Sequence, residues 1–166
     1  MTEDGPGDGP EHGPEGGHVS GDPPGRALGV DLGTRRIGVA ITDSAGTMAL
    51  PRSTLERSGD PEHDRRKLVE IIVDEAVATV VVGLPLSLDG SSGPAASSAR
   101  EEAEALRTLL EGRGIDVELF DERLTTVSAH QALAARGVRG RDRRSVVDQT
   151  AAAVMLSAWL ESGGGR

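Results

Sequence analysis

Three acidic side chains occupy positions in this sequence at which a cation could bind. The first, Asp31, lies in the β-prone run 27–32, where strand alternation places it on the same face as Ala27 and Gly29. A carboxylate in an otherwise apolar strand costs free energy unless a cation, a metal ion or a hydrogen-bond donor compensates it. Asp31 is therefore a candidate metal ligand. The alternative is an Asp that accepts backbone N–H groups in the glycine turn that follows.

The second candidate stands where a predicted strand ends and a helix begins, in the run Asp121-Glu122-Arg123. Ligands of open α/β sheets usually bind at the carboxyl ends of the strands, so either acid could face a site. The alternative is structural, because acids near a helix start interact favourably with the helix dipole, and Thr125 or Thr126 can cap the helix. Asp121 and Glu122 point in opposite directions if the strand persists, which leaves open which of them faces the site.

The third candidate, Asp148, follows Ser145 by three residues. A serine with an acid three positions later has the spacing of a helix capping box, so Asp148 could be a capping residue instead of a ligand. Taken alone, this local sequence favours the capping role.

Composition excludes several classes of function. Cysteine is absent, which removes disulfides, thiolate zinc sites and thiol nucleophiles, so any nucleophile must be an oxygen. The first 25 residues lack the apolar stretch of a signal peptide, and later apolar runs are far shorter than the roughly 20 residues that span a bilayer. We therefore expect a cytoplasmic protein with no membrane partner.

The charge is unevenly distributed along the chain. The net charge is −9, but residues 1–25 hold six of the 27 acids and none of the 18 bases, so 21 acids and 18 bases leave the remainder at −3. Residues 1–25 are rich in Gly and Pro and are predicted to form a disordered acidic tail. Between Arg136 and Arg144 five arginines face one acid, Asp142. This segment is predicted to be a mobile basic loop on which a polyanion can dock.

A mixed sheet is needed to position the three acids. Alternating or continuous apolar runs predict strands at 27–32, 37–42, 47–55, 80–82 and 115–120. Helical periodicity predicts helices at 61–76, 95–111, 126–136 and 145–161. The first two strands are joined by a Gly turn and predict a hairpin, and a loop is predicted at 83–93. Early strands followed by strand–helix alternation predict an α/β fold with helices on both faces of the sheet.

Four motifs stand in order along residues 26–162. They are Gly29-Val30-Asp31-Leu32-Gly33-Thr34 with Ile37-Gly38-Val39-Ala40, Val82-Gly83-Leu84-Pro85-Leu86 with Asp89-Gly90, Asp121-Glu122-Arg123-Leu124-Thr125-Thr126, and Val147-Asp148-Gln149. Together they resemble the motifs of the YqgF/RuvX family of RNase H-like proteins, described as Holliday junction resolvases and as pre-16S rRNA nucleases. The resemblance implies an RNase H-like nuclease domain at 26–162, with a mixed five-stranded sheet, between the tail 1–25 and a flexible end at 163–166.

The same resemblance implies a metal-dependent hydrolase of phosphodiester bonds. Asp31, Glu122 and Asp148 match the family's acidic triad, and their hard oxygens suit Mg²⁺ or Mn²⁺. Paired ions about 3.5 to 4 Å apart can activate water and stabilise the leaving oxygen, with Asp31 bridging them and the other two acids completing the coordination. The residues expected to contact nucleic acid are Arg35, Arg36, Arg123, Arg139 and Arg141.

The sequence leaves the substrate and the assembly open. The expected partner is nucleic acid, either precursor 16S rRNA processed at its 5′ end during ribosome biogenesis, alone or in ribosomal precursor particles, or a Holliday junction in DNA recombination and repair. Groove readout and 2′-OH recognition depend on surface shape, and both a monomer and a homodimer are compatible with the sequence. Phe120 and Trp159 are the only aromatic residues, so stacking on aromatic rings is not expected to dominate binding.

Two other functions fit parts of the pattern. A noncatalytic nucleic-acid-binding module could keep this fold without activity. The turn Asp31-Leu32-Gly33-Thr34 also resembles the phosphate-binding turn of actin-like sugar kinases and chaperone ATPases. Those ATPases clamp a nucleotide between two such domains, and this chain has the length of one.

Overall fold

The computed structural model describes residues 25–125 and 141–164, and of these it describes 141–147 by backbone alone. Five strands form one sheet in the order β3-β2-β1-β4-β5. The strands are β1 (Arg26–Leu32), β2 (Arg36–Thr42), β3 (Ala49–Glu56), β4 (Val77–Leu84) and β5 (Asp116–Asp121). The helices are α1 (Pro61–Asp74), α2 (Pro94–Leu110), a short 3₁₀ helix (Glu122–Leu124) and α3 (Arg141–Glu161). The predicted α/β fold with a mixed five-stranded sheet is confirmed.

The central strand β1 gives the sheet its mixed character. It pairs antiparallel with β2, in a register that places Asp31 opposite Gly38. It pairs parallel with β4, which in turn runs parallel with β5. The carboxyl ends of β1, β4 and β5 therefore meet at one edge of the sheet, where ligands of open α/β sheets usually bind. This edge carries Asp31 at the end of β1 and Asp121 at the end of β5.

Helices cover both faces of the sheet, as the sequence predicted. The core beneath α1 and α2 contains the large side chains of one face, among them Leu28, Val30, Val80 and Val82. On the other face α3 packs over smaller side chains, including Ala27 and Ala40. A Cβ at Gly29 would lie 3.0 Å from the Cβ of Leu156 in α3, so the glycine permits this close approach. Asp31 shares a face with Gly29 and thus lies on the side covered by α3.

Local interactions explain the boundaries of α1 and the start of β3. Asp60 caps α1 by accepting the N–H of Glu62 at 3.0 Å, ahead of Pro61. The helix ends at Asp74, two residues short of the predicted end, because Ala76 has a φ of 51° that no α-helix accommodates. The third strand begins at Ala49 instead of residue 47. Thr47 is held in a turn, where its N–H and hydroxyl both donate to Asp43.

The predicted boundary between β4 and the following loop is wrong. The strand continues to Leu84, so Gly83 belongs to the strand and not to the loop. Gly83 pairs with Phe120 of β5, and Leu84 pairs with Asp121. The parallel neighbour therefore supplies backbone partners that override the low strand propensity of glycine.

The start of the last helix also corrects two predictions. α3 begins at Arg141, so Ser145 lies inside the helix and cannot be its N-cap. Residues 141–144 are likewise helical and not part of a loop. No Gly or Pro interrupts 141–161, and arginine is a good helix former. The predicted helix at 126–136 and Arg139 lie outside the described residues. Although α3 has 21 residues, neither it nor any other described helix is long and apolar enough to cross a membrane.

Candidate active site

Asp31 and Glu122 line one small cavity at the carboxyl edge of the sheet. The cavity has a volume of about 180 Å³, and its other walls are Thr125 and, from α3, Ala151 and Met155. Asp31 reaches it from the end of β1, and Glu122 from the first position of the 3₁₀ helix that follows β5. The parallel strands thus bring together two acids that lie far apart in the sequence.

The electrostatics of this cavity favour a cation. Burial, reinforced by the negative charges of Asp31 and Asp121, raises the pKa of the Glu122 carboxyl from 4.5 to about 7. Two carboxylates in a partly desolvated site repel each other, and a divalent cation between or beside them would remove that cost. Carboxylate oxygens are the ligands that Mg²⁺ and Mn²⁺ prefer. The donor set therefore fits such an ion.

Glu122 and its neighbour Asp121 have different surroundings. The Asp121 carboxylate accepts hydrogen bonds from Nε of Arg123 at 3.0 Å and from Nη2 at 2.6 Å. These side-chain hydrogen bonds are the main reason why the pKa of Asp121 lies below its ordinary value. Asp121 also caps the 3₁₀ helix by accepting the N–H of Arg123. Asp121 is thus engaged by Arg123, and Glu122 is the acid that lines the cavity.

Asp148 lies near the pair but turns toward a different partner. Its backbone carbonyl occupies the space that a Cβ at Gly38 would need, and Gly38 stands opposite Asp31. Its carboxylate lies 3.8 Å from Nη1 of Arg36. Among the side chains that the structure describes, those of residues 25–125 and 148–164, no three His or acidic groups lie close enough to hold one metal ion. The structure therefore brings Asp31 and Glu122 together and leaves the Asp148 carboxylate beside Arg36.

Gly83 is a site residue that the sequence interpretation missed. A Cβ at Gly83 would overlap Oε1 of Glu122 and would lie 2.8 Å from Sδ of Met155. The Glu122 carboxylate thus fills the space that a side chain at position 83 would occupy. The sequence offers one clue, a glycine directly after the apolar run 80–82, but only the fold shows that it is buried and which group it accommodates.

Replacing Gly83 with alanine is expected to displace the Glu122 carboxylate and to lower the metal-dependent cleavage expected from the sequence more than it lowers stability. A methyl group cannot share the position of Oε1, whereas the Glu122 side chain can rotate away without unfolding the sheet. The measurement is the cleavage rate together with the thermal midpoint. Gly93→Ser is the control, because a Cβ at Gly93 meets no atom within 4 Å. Equal cleavage rates for Gly83→Ala and the parent protein would contradict the assignment.

The arginines expected to contact nucleic acid have different environments. Arg35 is exposed in the turn between β1 and β2. Arg36 bonds to Glu56 at 3.0 Å, and its guanidinium also lies near Asp148. Arg123 is bound to Asp121. The structure describes Arg141 by its helical backbone alone, and Arg139 lies outside the described residues.

Sequence comparisons give consistent matches over most of the chain. The profile of the RuvX family, described as Holliday junction resolvase, matches residues 25–162. A protein of Mycobacterium leprae named as a pre-16S rRNA nuclease is 47% identical over 137 residues, covering 82% of this chain and 73% of its own. A protein of Anaeromyxobacter dehalogenans with the same name is 47% identical over 136 residues, covering 82% of this chain and 96% of its own.

Two solved structures of Holliday junction resolvases have a similar fold. RuvC of Thermus thermophilus, in complex with a Holliday junction substrate, superposes with a TM-score of 0.58 over 85% of this chain and 98% of its own. The yeast mitochondrial Holliday junction resolvase has a TM-score of 0.52 over 83% of this chain and 78% of its own. The sequence identities are 11% and 10%, so these likenesses concern the fold. They agree with the predicted RNase H-like class.

Proposed function

The chain belongs to the RuvX family of nucleases, and from that premise we propose that it hydrolyses phosphodiester bonds in the 5′ extension of precursor 16S rRNA, with Asp31 and Glu122 at the reaction centre. The observation that carries the proposal is the cavity that the two acids share. The RNA precursor is the proposed substrate because relatives 41% to 47% identical are named as pre-16S rRNA nucleases.

We propose that Asp31, Glu122 and Asp148 hold Mg²⁺ or Mn²⁺. A bound divalent cation supplies positive charge that stabilises the negative charge developing on the phosphate during hydrolysis. Asp31 and Glu122 support this role through their shared cavity and the raised pKa of Glu122. Asp148 is included because Gly38 lets its backbone approach β2 directly opposite Asp31.

The chain contributes the positioning of these acids. Gly83 leaves room for the Glu122 carboxylate, and Met155 closes the cavity from α3. Met155 is almost fully buried, which keeps water from that side of the carboxylate pair. Arg36 lies between Glu56 and Asp148, so a substrate phosphate that attracts Arg36 would release the Asp148 carboxylate for the cation.

Because the chain as a whole is acidic, we propose that substrate docking depends on individual arginine side chains near the site. Exposed Arg35 is the described candidate best placed to meet a phosphate, since it stands in the turn after Asp31. Arg36 would first have to release the Glu56 carboxylate, and Arg123 the Asp121 carboxylate, before either could bind a phosphate. Arg139 and Arg141 stay proposals from the sequence, as does a ribosomal precursor particle as the natural partner.

Cleavage of a Holliday junction is the second candidate function. The family description and the fold shared with RuvC favour it. The decisive experiment incubates the full chain with a 5′-extended 16S rRNA fragment and with a four-way DNA junction, each with Mg²⁺ and with EDTA. Mg²⁺-dependent cleavage of the RNA alone supports the first function, and resolution of the junction alone supports the second. Binding of the RNA or of the junction without cleavage of that nucleic acid would support a noncatalytic nucleic-acid-binding module.

Deleting residues 1–24 is expected to leave both thermal midpoint and cleavage rate unchanged. The segment has almost no apolar side chains to bury, and the family match begins at residue 25. Removal of six acids should at most speed association with nucleic acid, an effect that added salt would screen. Thermal unfolding of both proteins measures the stability. A loss of more than about 1 kcal/mol, which is a large effect for a protein of ordinary stability, would contradict the proposed domain boundary.

A further inference from the structure

The loop between β4 and α2 presents an exposed leucine near the edge that carries Asp31 and Glu122. We call residues 85–93 the tip loop. Leu88 is 96% exposed, the highest value among the large hydrophobic side chains of the described residues. A side chain this exposed contributes almost nothing to packing. A second leucine of the same edge, Leu124, is 60% exposed in the 3₁₀ helix that begins with Glu122.

Hydrogen bonds fix the conformation of the tip loop. The N–H of Ser87 donates to the carbonyl of Ser91 at 3.0 Å, and the N–H of Gly90 donates to the carbonyl of Ser87 at 2.8 Å. The Asp89 carboxylate accepts the N–H of Ser91 at 2.9 Å. Gly90 has a φ of 84°, in the left-handed region that favours glycine. Leu88 therefore lies in a turn whose conformation is fixed by hydrogen bonds.

The tip loop is also tied to the acidic edge. Nη1 of Arg123 donates to the carbonyl of Leu88 at 3.5 Å. The same guanidinium binds Asp121, the neighbour of Glu122 in the chain. Arg123 thus bridges the tip loop and the end of β5. The position of Leu88 is coupled to the strand end that positions Glu122.

We propose that Leu88, assisted by Leu124, packs against an unstacked base of the nucleic-acid substrate beside the bond that is cleaved. This inference rests on the proposed nuclease function and adds a contact that selects nucleotides free of a duplex stack. Leucine is among the apolar side chains that proteins insert between neighbouring bases, which unstacks those bases. The chain has only two aromatic residues, Phe120 and Trp159, and both are buried. Leu88 and Leu124 are therefore the exposed apolar side chains described at this edge that could pack against a base.

Nucleic acid is the occupant that the geometry favours. A substrate strand that reaches Asp31 and Glu122 arrives at the sheet edge to which Arg123 ties the tip loop. In this arrangement Arg123 is a positioning residue that holds Leu88, in addition to any phosphate contact it makes. A protein partner that covered Leu88 would instead be independent of the reacting strand.

The test measures RNA binding by full-length chains that carry Asp31→Asn, so that no cleavage interferes. The probe is a single-stranded RNA from the 5′ extension of 16S rRNA, labelled with 2-aminopurine at successive positions. Adding Leu88→Ser is expected to weaken binding about five- to tenfold, as loss of a partly buried leucine contact would, with an unchanged salt dependence. It should also reduce the fluorescence change at one labelled position. Leu109→Ser is the matched control, because Leu109 is 48% exposed on α2, which packs on the opposite face of the sheet from α3.

Equal RNA affinity with and without Leu88→Ser would overturn the inference, as would failure of these chains to bind the RNA. Loss of binding to a ribosomal precursor particle with unchanged binding to free RNA would also overturn it and would assign Leu88 to a protein contact. The proposed function fails by a different result, namely absence of cleavage by the parent protein. Binding that depends on Leu88 can therefore be distinguished from catalysis.

Discussion

Replacing Asp31 with asparagine is expected to abolish metal-dependent cleavage while leaving the fold intact. The substitution keeps the shape of the side chain and removes one negative charge from the cavity shared with Glu122. Cation binding depends on that charge, whereas packing beneath α3 does not. Cleavage should fall by at least about 10²- to 10³-fold, the loss that follows removal of one charge-stabilising group from an active site. The measurement is cleavage of a labelled 16S precursor fragment in Mg²⁺, with thermal unfolding recorded in parallel.

Asp116→Asn provides the matched control for this prediction. Asp116 begins β5, is exposed, and lies at the opposite end of that strand from Asp121. The control variant should cleave at the parental rate. Parental cleavage by the Asp31→Asn variant would remove Asp31 from the reaction centre, and a gross loss of structure would mean that its role is in the fold.

Replacing Glu122 with glutamine is expected to stabilise the protein above neutral pH and to abolish cleavage. The folded-state pKa of about 7 exceeds the ordinary value of 4.5, so the folded chain binds more protons than the unfolded chain between these values. Stability from this group is therefore lost as pH rises through that window, because the folded state must carry a buried carboxylate beside Asp31. Glutamine cannot ionise and avoids this cost. The opposite changes in stability and activity distinguish a site residue from a structural one.

The measurement is urea unfolding of the parent and Glu122→Gln proteins on both sides of the titration window, without metal. The two proteins should differ most at about pH 8 and converge near pH 4, where the parental carboxyl is protonated in both states. The Asp31→Asn variant should show part of the same effect, since it removes one of the charges that raise the pKa of Glu122. An identical pH dependence in parent and Glu122→Gln proteins would contradict the burial of a repelled carboxylate at this position.

Local patterns were sufficient to predict the elements that carry Asp31. The alternation of 27–32, the Gly turn after it and the following β-prone run define a hairpin that the structure confirms. Strand periodicity also placed Asp31 on the face of Gly29, which α3 covers. These features depend on contacts between neighbouring segments and on side-chain size, which the sequence displays directly.

Features that depend on long-range pairing could not be predicted in the same way. Gly83 is a strand residue because it pairs with Phe120 of β5. Its role, to leave room for the Glu122 carboxylate, follows from the position of Glu122 in space. Strand alternation left the choice between Asp121 and Glu122 open and the family resemblance selected Glu122; the structure adds that the Arg123 side chain folds back onto Asp121. Neither interaction leaves a periodic pattern in the sequence.

Asp148 shows how a local motif can mislead about a helix end. The spacing from Ser145 predicted a capping box, but α3 begins at Arg141, so the capping interpretation is wrong. The place of Asp148 in the metal site stays a proposal. Asp148→Asn is informative here, because loss of cleavage without loss of stability would support that proposal.

The proposed metal centre of Asp31 and Glu122 is tested most directly by titrating the full-length protein with Mn²⁺ and measuring the free ion by electron paramagnetic resonance. We expect the parent protein to bind Mn²⁺ and Mg²⁺ to compete for the site. Asp31→Asn and Glu122→Gln should each weaken Mn²⁺ binding by at least about tenfold, as loss of a carboxylate ligand should. Mn²⁺ binding of equal affinity in the parent and both variants would contradict the claim that these two carboxylates form the metal centre.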